Sequence, residues 1–322
     1  MRTYSRQVAV GGEPDAPPLT VLIVDSESPG PTVLVTANVH GDELTGLLAV
    51  QRLNQRLPGE LTSGRVVLYP SLNPSGLQAL QRQVPADGGD LNRSFPGRRR
   101  GPATERLAHG IWKALLDEGP DVLIDLHADA LLSVPYAIID RVISLRGAAR
   151  RRLEGQLNEL ADSAGLTTIH EYPEDKYRRF KLDQSLAGAM VNRVCIPAIT
   201  IEAGPRKVAH HASAEAAVWA VRRVLSHRDM IGLTLAPHAS QVVGGPWQRA
   251  GVPRAQREGL LQTVVGPGET FEAGATLARV VALNGSLVDE LRAPRAGLLV
   301  SWADAGWLTV GAVAGTLALK ED

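Results

Sequence analysis

Short runs of β-branched and aliphatic residues alternate along this chain with segments whose apolar positions recur every three or four residues. "VLVTANV" (33 to 39), "RVVLY" (65 to 69), "DVLIDLH" (121 to 127) and "PAITIEAGP" (197 to 205) read as buried strands bounded by turn residues. Residues 43 to 55, 104 to 118 and 215 to 227 read as helices. In the second, Leu107, Ile111 and Leu115 form a core-facing stripe, and in the third Val218, Val221 and Leu225 do the same. That order predicts an α/β fold, a mixed, largely parallel sheet with helices on both faces. After about residue 230 the pattern changes. "VVGPGETFEAGATLARVVALNG" and "LRAPRAGLLVSWADAGWLTVGAVAGTL" carry short strands and frequent glycine with no helical period, which predicts a C-terminal all-β barrel or sandwich. A boundary between Arg228 and Leu233 divides the chain into 1–230 and 231–322. No internal repeat or low-complexity tract interrupts either part.

Composition narrows the partners. The 322 residues carry 34 Lys plus Arg against 34 Asp plus Glu, so no global field favours nucleic acid or an anionic membrane. Cys195 is the only cysteine, which excludes an intrachain disulfide. No apolar stretch approaches the roughly 20 residues needed to span a bilayer, and "MRTYSRQ" lacks a signal core. The expectation is a cytoplasmic protein acting on a small molecule, with the subunit number open and a homo-oligomer compatible with it.

The chemistry concentrates where apolar strands stop. "VLVTANVHGDE" ends in His40 and Glu43, which a strand finishing at His40 would place at the sheet edge where open α/β folds bind ligands. An imidazole and a carboxylate suit zinc, and a catalytic zinc takes three protein ligands. His127 closes another buried strand in the same context and supplies the third. Asp125, two residues earlier and on the same face, is placed to orient an imidazole. His109, His170, His210, His211 and His227 fall in helical or polar segments and are assigned surface roles.

The loop at 73 to 97 is long and rich in Pro, Gly and Asn, as functional loops often are. Asn92 and Arg93 there offer an amide and a planar fork of donors, the chemistry that recognises a carboxylate. Arg82 has the charge to stabilise an oxyanion. Arg98, Arg99 and Arg100 read as solvated surface groups. Glu202, ending an otherwise apolar strand, fits three roles: a general base with a pKa raised by burial, a metal ligand, or the partner of a buried arginine.

"HGDE", "NP" followed nine residues later by Arg82, "DLNRSFPG", "DLHAD" and "ITIEAGP" together resemble the succinylglutamate desuccinylase and aspartoacylase family, which is similar to the zinc carboxypeptidases. The resemblance runs from about residue 30 to 205, and the β-rich tail suits the family as well. It implies one zinc on His40, Glu43 and His127, Arg82 polarising the scissile carbonyl, Asn92 and Arg93 holding a carboxylate, and Glu202 activating water. The implied activity is hydrolysis of the amide bond of a small N-acyl amino acid. A peptide carboxypeptidase and a non-catalytic binding protein on the same fold are the rivals. Two departures stand out. The arginine expected shortly before the "E-x-G-P" strand of aspartoacylases is replaced by a stretch offering Gln184, Asn192 or, with a shifted alignment, Arg193. The C-terminal tyrosine of those enzymes has no counterpart after Tyr177. The tail also resembles a biotinyl or lipoyl carrier sandwich, but "LNGSLVDELRAP" has no lysine to modify, so it is read as a cap over the cleft that contributes no ligand or base.

Overall fold

A computed structural model describes residues 1–11, 17–232 and 243–321. The N-terminal part runs β1 (Arg2–Val8), β2 (Leu19–Asp25), β3 (Thr32–Ala37), α1 (Leu44–Arg56), β4 (Arg65–Tyr69), α2 (Pro74–Ala79) and α3 (Ala103–Leu116). It continues through β5 (Val122–His127), β6 (Leu132–Ser133), β7 (Tyr136–Ile139), α4 (Gly147–Ala164), β8 (Thr168–His170), α5 (Glu174–Arg179), α6 (Leu186–Arg193), β9 (Ala198–Glu202) and α7 (His211–His227). After residue 242 come β10 (Trp247–Ala250), β11 (Gly259–Thr263), β12 (Thr270–Phe271), β13 (Thr276–Val281), β14 (Leu287–Arg292), β15 (Gly297–Trp302), β16 (Trp307–Leu308) and β17 (Gly315–Lys320).

The mixed α/β sheet and the separate C-terminal antiparallel sheet follow the expected fold class. At the centre, β4, β3, β5 and β9 pair in parallel, while β1, β2 and β7 add antiparallel neighbours. Every residue of β5 is buried, as a strand covered on both faces requires. Helices α1, α4 and α7 pack together against the sheet, and α6 lies against β5 and β9. The apolar stripes supply this packing: Leu107, Ile111 and Leu115 of α3 and Val218, Val221 and Leu225 of α7 all belong to one buried core.

Two expected boundaries move. β3 ends at Ala37 rather than His40, because Asn38 adopts a left-handed conformation (φ 55°) that breaks the extended chain. α7 starts at His211, a turn before residue 215, with the His210 side chain accepting a hydrogen bond from the Ser213 amide as its cap. No helix among the described residues is long and apolar enough to cross a membrane.

The sheet does not stop at the anticipated domain boundary. Part of that boundary, Leu233, lies outside the described residues, but on its far side β10 pairs in parallel with β8, and β17, β15 and β12 continue the same 13-stranded sheet. β11, β13, β14 and β16 form a second, four-stranded antiparallel sheet, with its own core around Leu277, Val280, Leu291 and Trp302.

Candidate active site

Because β3 ends early, His40 and Glu43 sit in the turn between β3 and α1. Buried Asn38 shapes that turn: its amide donates to the carbonyls of His40 (2.9 Å) and Glu43 (3.1 Å), while Ser71 donates to its side-chain oxygen (2.6 Å). Gly41 passes so close to the Gly76 backbone that a Cβ would lie 2.0 Å from its carbonyl carbon, so the turn accepts no side chain there. The neighbouring strand β5 brings His127 to the same place. Donor atoms of His40, Glu43 and His127 all lie within 4.8 Å of one another, and all three residues are buried. This trio can hold a metal ion.

Its hydrogen bonds have the form of a metal site. Both imidazoles turn Nδ1 toward the Glu43 carboxylate, at 2.7 Å from His40 and 2.8 Å from His127. Both Nε2 atoms face a carboxylate instead, Asp125 at 2.8 Å from His127 and Asp90 at 3.3 Å from His40. Asp125 therefore stands where its spacing placed it, and Thr36 fixes its other oxygen with a 2.7 Å hydrogen bond. Burial would raise the Glu43 carboxyl, but His40 and His127 hold it well below the usual carboxylate range. Burial likewise opposes a proton on His127, yet Asp125 and Glu43 hold one there well above the ordinary imidazole range. A metal cation would relieve this arrangement by taking the place of that proton.

The remaining residues gather around one cavity, partly open to solvent, lined among others by His40, Glu43, Arg82, Asn92, Arg93 and His127. Arg82 reaches from the long loop to Asp90 (3.1 Å) and to Nδ1 of His40 (3.2 Å). Asn92 lies in a 3-10 turn, its side-chain oxygen accepting from the Leu186 amide at 2.8 Å and its nitrogen 3.4 Å from His127. Arg93 lines the cavity, and burial lowers its pKa. Glu202 lies beside His127 in the parallel register of β5 and β9, lines the cavity, and keeps one carboxylate oxygen buried without a partner. Burial, followed by the charge of Asp129, pushes its carboxyl up to about 8.

The residues weighed as substitutes for the aspartoacylase arginine are not in this cavity. Asn192 is consumed by backbone contacts, accepting from the Ile143 amide (2.8 Å) and donating to the Arg141 and Gly188 carbonyls. Arg193 faces Asp183 at 3.7 Å, and Gln184 lines a neighbouring cleft. Asp129, Asp140 and Arg249 line the cavity and Asp90 touches His40, and none of these four was given a role from sequence. Glu171, which also lines it, opens the polar stretch 171 to 184 that reads in the sequence either as lining for the substrate side chain or as a solvated helix or loop. Asp140 follows the apolar run "YAII" just as Glu202 ends "AITI", so the same signal was present. Arg249, on a short strand near the tail, carries no comparable mark.

The succinylglutamate desuccinylase/aspartoacylase catalytic domain matches residues 29–228. The chain belongs to this family. Among its relatives, the N-alpha-acetyl-L-2,4-diaminobutyric acid deacetylase of Halomonas elongata is 31% identical over 290 residues, covering 88% of this chain and 80% of the relative. A succinylglutamate desuccinylase/aspartoacylase from Rhodobacter sphaeroides shares the fold with a TM-score of 0.81 at 22% identity, covering 99% of this chain and 96% of that one. A metallo-carboxypeptidase from Burkholderia cenocepacia has a TM-score of 0.56 at 16% identity, over 70% of this chain and 65% of that one. The family is one of deacylases on a metallo-carboxypeptidase-like fold, and the His40–Glu43–His127 trio lies within the matched segment.

Proposed function

We propose that this chain hydrolyses the amide bond of a small N-acyl amino acid, using one zinc ion held by His40, Glu43 and His127. The observation that carries the reading is the meeting of that trio with an unpartnered, buried Glu202 carboxylate in one cavity. Two imidazoles and a carboxylate are the donor set of many catalytic zinc sites. When bound, zinc would supply the Lewis acidity that polarises an acyl carbonyl and lowers the pKa of water to about 7. Glu202 would take the proton of the attacking water at its free carboxylate oxygen and return it to the leaving amine nitrogen, a transfer its raised pKa suits. Arg82 directs its guanidinium to the developing oxyanion, and Asn92 and Arg93 anchor the substrate carboxylate. The Halomonas relative acts on an N-acetylated amino acid of this size, which supports the substrate class.

In this reading the described residues after 242 form the cap that keeps the cleft small. Supporting this, Arg249 of β10 lines the cavity, and Asp304 after β15 binds Arg206 (2.6 Å) and the Leu131 amide (2.7 Å) near the turn that carries Glu43. The test is metal content together with turnover of a panel of N-acyl amino acids and of peptides of six or more residues. Bound zinc with hydrolysis of the small substrates alone is expected. Efficient release of C-terminal residues from the peptides overturns the reading.

A further inference from the structure

The roles above leave part of the cavity unexplained, and that part is acidic. Asp140 and Glu171 line it, following β7 and β8, and Arg249 comes from β10, so three adjacent strands converge here. Asp140 is 5% exposed and Glu171 4%. A buried carboxylate is unfavourable unless paired, and of these two only Glu171 has a hydrogen-bonded cation among the described residues. Arg249 donates to Glu171 at 2.7 Å, whereas Asp140 receives only the Tyr177 hydroxyl at 2.7 Å among its side-chain contacts. Burial, followed by the charge of Glu171, pushes Asp140 up to about 7, against the Tyr177 hydrogen bond and the weaker pull of Arg93 and Arg249. Glu202, 9% exposed and with one oxygen unpartnered, faces the same cavity.

We propose that Asp140 and Glu171 form the subsite for the side chain of the substrate amino acid and select one bearing a short primary ammonium group, with Arg249 as the positioning residue that holds Glu171. The inference rests on the deacylase reading and adds where, and by what charge, the amino acid is read. Length agrees with it. Tyr136 of β7 pairs with Glu202 of β9 and Ile138 with Thr200, and Thr200, Ile138 and Asp140 all line the cavity. Asp140 therefore lies four residues, about 13 Å, along the sheet from the level of Glu202. Five bonds separate an acyl carbon from an ammonium carried on a two-carbon side chain, about 6 Å. Adding a contact of about 3 Å at each end gives about 12 Å. An anionic side chain would meet two carboxylates here, and the arginine that would welcome it is engaged by Glu171. Arg249 also lies outside the segment that matches the family, so this selection is built partly from the chain's own C-terminal region.

The experiment compares kcat/KM of the zinc-loaded enzyme for N-acetyl-L-2,4-diaminobutyrate, the uncharged N-acetyl-L-norvaline and N-acetyl-L-aspartate, then for amines on side chains of one to four carbons. The amine is expected to exceed norvaline by about tenfold or more, through KM, with an optimum at two or three carbons. Asp140→Asn and Glu171→Gln should each collapse the amine-to-norvaline ratio, and Glu171→Gln should raise the relative rate on aspartate by releasing Arg249. Hydrolysis of norvaline and amine substrates at comparable rates overturns the subsite while leaving the deacylase reading intact. So does a ratio unchanged in both variants. Failure to hydrolyse any N-acyl amino acid overturns the deacylase reading and the subsite with it. The unmodified enzyme's substrate series decides the question even if a variant does not fold.

Discussion

The two ends of the cavity are built differently. At one end, His40, Glu43, His127 and Glu202 stand on adjacent elements of the central parallel sheet, each next to or at the carboxyl end of a buried strand. At the other, Asp140 and Glu171 follow the short strands β7 and β8, and Arg249 arrives from β10, which pairs with β8. The first end uses largely buried strands and the turn that follows β3 to hold atoms within hydrogen-bond reach, which bond-breaking chemistry requires. The second uses charge, whose longer reach tolerates looser placement, and discriminates among substrates. Reaction and selectivity are thus separable by mutation.

The largest effect should fall on the first end alone. His127→Ala is expected to lose bound zinc and at least about 1,000-fold in turnover, since the metal supplies the electrophile. Retention of zinc by that variant, measured by elemental analysis after dialysis, would remove His127 from the ligand set. Next in size, Glu202→Gln should keep zinc and substrate affinity while kcat falls about 100- to 10,000-fold, as loss of a positioned proton acceptor predicts. Loss of the metal in that variant would instead make Glu202 a ligand.

Smaller effects sharpen the contrast. Asp125→Asn should weaken zinc binding by about 10- to 100-fold, because the 2.8 Å contact that orients His127 is altered; competition with a chelator of known affinity measures it. Arg93→Ala should raise KM with kcat little changed, the behaviour of an anchor used equally in ground and transition states.

The smallest effect is on stability and belongs to the second end. Asp140 is raised from 3.8 to about 7, so the native state keeps its proton across a range in which the unfolded chain has given it up. Stability must then fall as pH rises from about 4 to about 7, and level off above. Asp140→Asn removes the titration. In the metal-free protein it should gain stability on the order of 1–3 kcal/mol above pH 7 and almost nothing below pH 4. Denaturant unfolding at the two pH values checks this, and equal differences at both would show that Asp140 bears no such penalty.

Much of the first end was legible along the chain because a polar group closing an apolar strand is conspicuous. His40, His127 and Glu202 carry that mark in the sequence, Asp125 and Glu43 lie within three residues of such ends, and α/β units bring these ends together. The resemblance to known deacylases then chose among the roles open to Arg82 and Glu202. The second end was less legible. Asp140 carried the same mark and was passed over, since a single strand-end carboxylate does not say which cavity it faces. Arg249 could not be found this way, because its place depends on β10 pairing with β8 across 78 residues of sequence.

The amino-acid sequence by itself determined the local elements and the donor types, since hydrophobic periodicity selects helix or strand and side-chain chemistry selects possible ligands. Only the tertiary structure decided distances and charge balance. It brought two imidazoles to one carboxylate within 2.8 Å, left one Glu202 oxygen without a partner, and gave Glu171 an arginine that Asp140 does not bond. These are properties of convergence, fixed by strand order and register, and no residue carries them alone.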